Sequence, residues 1–324
     1  RVPSSFFTNT RIGLIQPHVA FTGLGVITTS LLEKDEHLTD ALRAIFALKF
    51  EYVDLVFCGG TSLSKAHSLI ERMSEDADLK VVLTEAGKLL SRSALKRYLG
   101  DEVRKNVAEA LSKIGLVEDE DKAMTLNEYR YMHSQWSYQR RYPISTGLRP
   151  NLQLELTLRA PMLDIASVPI YALADRLAGK DGAPFEVKTI SVAETLAEKV
   201  LSFLRRFAQH RSGQMRGTWD TALVRHIYDV HCIVTHDSDL IELAVTAFKE
   251  LVNGDVTEFG KQQPDFAEKP LEVLEKALAQ VEKDEQSRSE YEKNLLPLVY
   301  GDFKPHFDEA FSSFKNVALQ LLAK

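Results

Sequence analysis

Residues 57–79 read FCGGTSLSKAHSLIERMSEDADL. A short apolar strand over residues 55–58 runs into Gly59-Gly60, two hydroxyl residues, Thr61 and Ser62, open a helix, and an Asp-x-Asp pair follows at Asp76 and Asp78. Glycine lets the backbone turn sharply and approach a ligand closely, and free N–H groups at a helix start favour anions. Residues 76–83 alternate. Asp76, Asp78 and Lys80 therefore share one face, and Ala77, Leu79 and Val81 take the other. Two like charges so placed repel unless a cation intervenes; a divalent metal would relieve them and align a triphosphate. Each half has a bland reading, an N-capped turn and a solvated edge-strand face. Their succession favours phosphate and metal.

Working outward, residues 31–48 have helical spacing, with Leu38, Leu42, Ile45 and Phe46 on one side. Residues 63–72 read as a helix with Leu63, Ala66, Leu69 and Ile70 inward. Residues 85–116 are helical and charged, and 129–142 are aromatic-rich and β-like. Residues 151–159 alternate strictly: Leu152, Leu154, Leu156 and Leu158 oppose Gln153, Glu155, Thr157 and Arg159. A last strand is expected over 184–190. Ser191 then reads as an N-cap with Glu194 in capping-box position. Only helices follow, over about 191–209, 218–235, 237–253, 270–293 and 305–323. The expected fold class is α/β (α+β): a mixed-sheet lobe with an N-terminal helical arm over 1–190, then an all-helical lobe over 191–324.

Three further side chains suit the same chemistry. Glu155 lies in the polar row of its strand; beside the Asp-x-Asp strand it would bring a third carboxylate, to ligate metal or accept a proton. Its alternative is an ion pair with Arg159. Lys199, on a largely apolar helical stripe, either snorkels or meets charge developing on phosphates. Asp229 could hold a metal, a sugar hydroxyl or Lys199, or simply pair with Arg225 at i−4. His226, His231 and His236 are too far apart around a helix to share a zinc ion. No G-x-S-x-G elbow, Walker loop or Rossmann fingerprint is present.

With 324 residues, 44% apolar and 27% charged, the chain has ample material for a core. A net charge of −6 does not announce a nucleic-acid binder. Two cysteines make no disulfide framework, which points to a reducing, cytoplasmic compartment. No apolar run is long enough to span a bilayer, no signal peptide opens the sequence, and the numbering, starting at Arg1, is expected to begin inside a longer chain.

The run GGTSLSK followed by R-x-SED-x-DL closely resembles the AbiEii nucleotidyltransferases, toxins of bacterial type IV toxin–antitoxin systems. LEKDEHLT resembles the segment that precedes this motif, AETLAEKV the helix with an essential lysine, and RHIYDV the R-D-x-Y-D-x motif. The family belongs to the DNA polymerase β-like superfamily. The resemblance implies Mg²⁺, with Mn²⁺ as the other candidate, on Asp76 and Asp78. It implies an NTP held near Gly59, Gly60, Thr61, Ser62 and Lys65, and catalytic roles for Lys199 and Asp229, with Glu155 as third carboxylate. Ser74 matches a serine where an added negative charge would inhibit. The implied acceptor is the tRNA 3′ end, and the implied partner is an antitoxin encoded nearby. Arg92, Lys96 and Arg97; Arg140 and Arg141; and Arg205, Arg206, Arg211 and Arg216 are basic clusters compatible with RNA. His226 departs from the family aspartate, and an insertion around 209–217 lengthens the interval from Lys199 to Asp229; Asp220 is the rival for the acidic role. Nucleotidylation of a protein or small molecule, and a GTP- or RNA-binding module without turnover, are the rival functions.

Overall fold

The computed structural model describes residues 27–145, 148–179, 182–214 and 218–323. The start of the expected N-terminal arm, Arg216 and part of the 209–217 insertion lie outside them.

The quoted stretch forms the centre of a mixed sheet. Strand β1 (Val53–Cys58) ends at the glycines, and β2 (Asp76–Leu83) returns antiparallel to it. The remaining strands are β3 (Val117–Glu118), β4 (Met124–Leu126), β5 (Tyr131–Ser137), β6 (Leu152–Leu158), β7 (Ala166–Ile170) and β8 (Phe185–Thr189). The order is β3-β5-β6-β2-β1-β8-β7, with β4 also paired to β5. β6 lies parallel to β2, as β8 does to β1. Alternation fixes the faces: Ala77, Leu79, Val81, Leu152, Leu154 and Leu156 are buried against Phe57, Trp136 and helix α1 (Thr29–Phe46). The carboxylate row takes the opposite face.

Helix α2 (Gly59–Lys65) links two cores. Ala66, just after it, packs against the sheet core, while Leu63 and Ile70 belong to a second core of helices. That core is built on α3 (Val192–Arg211), α4 (Arg225–His236), α5 (Leu240–Phe259), α6 (Pro270–Val281) and α7 (Phe307–Leu322). Phe203, Phe207, Phe248 and Phe314 lie at its centre. No helix among the described residues is long and apolar enough to cross a membrane.

Several expected bounds shift. The helix expected over 63–72 starts at Gly59, ends at Lys65 and gives way to irregular chain in which Ser68 has φ +55°. The helix expected over 270–293 breaks after Val281, because the Asp284 carboxylate accepts from the Ser287 N–H and caps a new turn. Glu194 closes no capping box: it is fully buried, its carboxylate taken by Lys80 and by the N–H groups of Met162 and Leu163.

Candidate active site

The turn and the carboxylate strand fit together through Gly59. Its φ is +74°, and a Cβ there would stand 2.1 Å from Asp78 Oδ2. Only a residue without a side chain suits both demands. Gly59→Ala should therefore displace Asp78 and lower kcat/KM about 100-fold, with little change in a circular-dichroism spectrum. Near-normal kinetics would show that Asp78 can move without loss.

Behind the turn, the Thr61 hydroxyl donates to the Asp76 carbonyl, and the Ser74 hydroxyl lies 2.8 Å from it. The Ser62 hydroxyl donates to the Gly59 carbonyl at 2.9 Å. Lys65 does not join this group. Its ammonium turns to Asp35 of α1 at 2.6 Å, and the Asp35 carboxylate also accepts from the Leu173 N–H at 2.6 Å. Lys65 is only 5% exposed, and its ion pair braces α2 against α1.

Asp78 and Glu155 are direct register partners across the parallel β2–β6 pair. Burial and the Glu155 and Asp76 charges push the Asp78 carboxyl well above the usual carboxylate range. The ion pair of Glu155 with Arg159 does not form: Arg159 reaches Asp255 at 2.7 Å, and Glu155 accepts from the Tyr131 hydroxyl at 2.9 Å. Asp76 is taken by Arg149 at 2.8 Å. Among the described residues no three histidine, cysteine or acidic side chains gather tightly enough to hold a metal alone. Two hard carboxylates on adjacent positions of one face still fit Mg²⁺, which is ordinarily held by one or two carboxylates together with substrate phosphates.

Asp229 is fully buried and reaches across the molecule. It accepts from Arg72 Nε and Nη2, each at 2.7 Å, and pairs with Lys199 Nζ at 2.6 Å. Burial alone would raise its carboxyl, but the Arg72 and Lys199 charges outweigh burial and hold it below the usual range. Arg225 is not its partner. Asp229 thus fixes the ammonium of Lys199, whose charge is felt at Asp78. Asp220 takes no part here, since it pairs with Arg206 at 2.8 Å and caps the turn at Ala222. His226 lies 3.0 Å from the Lys199 carbonyl through Nδ1; burial and the Lys199 charge keep it neutral, pushed down to about 3.

Three contributors escape a local reading. Arg72 sits inside the quoted stretch but finds its partner on α4. Lys80, on the carboxylate face, binds Glu194 at 2.5 Å and Glu198 at 2.7 Å and so docks α3, the helix of Lys199, onto β2. The α1 charges are interior: Glu33 accepts from the Arg141 and Tyr142 N–H groups, while Lys34 binds Glu75 and the Arg149 carbonyl. The signal for Lys80 was its place in the alternation; the α1 charges had none.

Residues 40–313 match the family model described as Nucleotidyl transferase AbiEii toxin, Type IV TA system. Among solved structures, MenT4, a nucleotidyltransferase toxin from Mycobacterium tuberculosis H37Rv, is similar at 21% identity and TM-score 0.43, over 70% of this chain and 66% of that one. The match spans just under two thirds of the length of MenT4. No curated protein matches the sequence significantly.

Proposed function

This chain belongs to the AbiEii family of nucleotidyl transferase toxins, and from that premise we propose that it transfers a nucleotidyl group from an NTP to an acceptor hydroxyl, the tRNA 3′ end. The observation that carries the reading is the Asp78–Glu155 register pair beside a glycine that leaves room for one carboxylate, faced by Lys199. Lobes of residues 1–190 and 191–324 would meet at this cleft.

In the proposed step the acceptor oxygen bonds to the α-phosphorus, the bridging P–O bond to the β-phosphate breaks, and pyrophosphate leaves with the electron pair. The hydroxyl proton goes to Glu155, one of whose oxygens already accepts from Tyr131. The turn at Gly59–Ser62 would cradle phosphate oxygens. Lys199, held by Asp229, would meet charge developing on the phosphates. Asp76 and Asp78 would hold Mg²⁺, which when bound would neutralise phosphate charge and orient the triphosphate. Phosphorylation of Ser74, beside Thr61 and Asp76, would add charge where phosphate must enter and so inhibit. The reading also implies an antitoxin encoded nearby and a cytoplasmic setting.

The test offers each labelled NTP with Mg²⁺, and with total tRNA and a protein acceptor side by side. Label on tRNA is the expected result, and it should be lost in Lys199→Ala. Label on protein would replace the acceptor, and tight NTP binding without pyrophosphate release would replace the enzyme by a binding module.

A further inference from the structure

The carboxylate face does not stop at Glu155. Strand register carries it outward in a row: Asp78 stands opposite Glu155, Glu155 opposite His133, and His133 opposite Met124. In the next row Lys80 stands opposite Thr157, Thr157 opposite Tyr131, and Tyr131 opposite Leu126. Register partners point to the same face. Neighbouring strands lie about 4.8 Å apart, so His133 stands about 5 Å and Met124 about 10 Å beyond Glu155. The four outer side chains make a patch on the catalytic side of the sheet. Met124 is 43% and Leu126 48% exposed, apolar groups left in water. Tyr131 and His133 are half-buried, and among the described residues His133 makes no hydrogen bond, ion pair or ring contact. The Tyr131 hydroxyl reaches Glu155 at 2.9 Å, so its ring spans from β5 toward β6. The β4–β5 hairpin beneath them is held in one shape. Asn127, Glu128 and Tyr129 at its tip have φ of +50°, +59° and +65°, and a Cβ on Gly100 would stand 3.1 Å from the Tyr129 ring. Such backbone persists only where its surroundings impose it.

The reaction says what this patch receives. In-line transfer sets the attacking oxygen opposite the leaving pyrophosphate. The Gly59–Ser62 turn follows β1, on one side of Asp78, and Glu155 on β6 lies on the other. The acceptor therefore enters from the His133 side. A sheet face that presents rings at alternate positions stacks nucleobases, and every base has the π-face this needs. Beyond the patch, at the hairpin tip, Arg92 pairs with Glu128 at 2.7 Å. That hydrogen bond, with the Arg92, Lys96 and Arg130 charges, holds the Glu128 carboxyl below its usual range. From the catalytic acids outward the order is a hydroxyl site, a flat apolar patch and positive charge. A 3′-terminal nucleotide brings its groups in the same order, a ribose hydroxyl, a base and then the phosphates of the strand behind it. A serine or threonine acceptor would bring neither base nor phosphates.

We infer that Met124, Leu126, Tyr131 and His133 form an acceptor platform, on which the base of a single-stranded 3′-terminal nucleotide stacks while its ribose hydroxyl meets Glu155. This rests on the nucleotidyl-transfer reading and names how its acceptor is held. The test uses the full chain, Mg²⁺, labelled NTP, and tRNA whose 3′-terminal base is adenine, 2-aminopurine or absent. His133→Ala, and Met124→Ser combined with Leu126→Ser, should each raise KM for tRNA about tenfold. The KM for NTP and the melting temperature should stay at wild-type values. His133→Phe keeps a flat ring but can move no proton, and it should restore the tRNA KM. Removing the terminal base should cost the wild type as much as His133→Ala does, and should cost that variant little more. Quenching of the 2-aminopurine fluorescence on binding reads the stacking without catalysis. An unchanged tRNA KM in the variants, a His133→Phe as poor as His133→Ala, no quenching by the wild type, or label on protein alone would each overturn the platform and leave nucleotidyl transfer standing. Quenching that the variants lose, by a wild type that labels no acceptor, would leave the platform standing and remove the transfer reading.

Discussion

Asp78→Asn is expected to abolish nucleotidyl transfer and, without divalent metal, to raise the melting temperature. The activity loss should be about 10³-fold or more, because the residue is both the proposed metal ligand and the partner of Glu155. The gain in stability follows from the same geometry. Burial and the Glu155 and Asp76 charges raise the Asp78 carboxyl in the folded state. A group raised on folding contributes stability below its unfolded pKa and loses it as pH rises through the folded value. Metal-free wild type should therefore lose stability from the ordinary carboxylate range upward, and the variant should not. If the relieved repulsion is about 1 kcal/mol, the shift at neutral pH is roughly 2 °C. Mg²⁺ should reverse the order, since only the wild type binds it well. Thermal melts over about pH 4 to 8, with and without Mg²⁺, provide the check. A variant that transfers at more than a tenth of the wild-type rate would remove Asp78 from the site.

The same pair shows why part of the fold was legible. Side chains alternate along a strand, so Asp76, Asp78 and Lys80 on one face and Ala77, Leu79 and Val81 on the other follow from spacing alone. Leu152 to Leu158 obey the same rule. Gly59, with its positive φ, could likewise be recognised as the point where the chain turns. The strands β3, β4 and β7 gave no such signal; they are short and mostly exposed, so no apolar face repeats along them. Glu33, Lys34 and Asp35 on α1 were harder still. A helical wheel sends charges to water, and here tertiary partners, Glu75 and Lys65 among them, draw them inward. Arg72 and Asp229 stand 157 residues apart, and no local period connects them. Lys65 follows the same rule: its nearest chain neighbours form the glycine turn, but its ion-pair partner is on α1.

That long-range pair gives the opposite stability result from Asp78. Asp229→Asn should destabilise the protein by about 3–5 kcal/mol, because it leaves Arg72 and Lys199, 3% and 6% exposed, without their shared carboxylate. The melting temperature should fall by on the order of 10 °C, and Mg²⁺ should not restore it, since the lost contact is not a metal ligand. The pH dependence also changes sign. The Arg72 and Lys199 charges hold the Asp229 carboxyl below its ordinary range against burial. A depressed carboxyl contributes stability above the unfolded pKa and loses it as pH falls through the folded one. The gap between wild type and variant should be full at neutral pH and narrow toward strong acid. Activity should fall as well, because Lys199 loses the group that aims it. Lowering the assay temperature until the variant is fully folded separates the two effects: a folded Asp229→Asn that still transfers poorly has lost the aim of Lys199, whereas full recovery would leave Asp229 with a purely structural role. A wild-type melting temperature in the variant would mean that Arg72 and Lys199 find other partners, and the buried bridge between sheet and helices would not be what holds Lys199 toward the carboxylates.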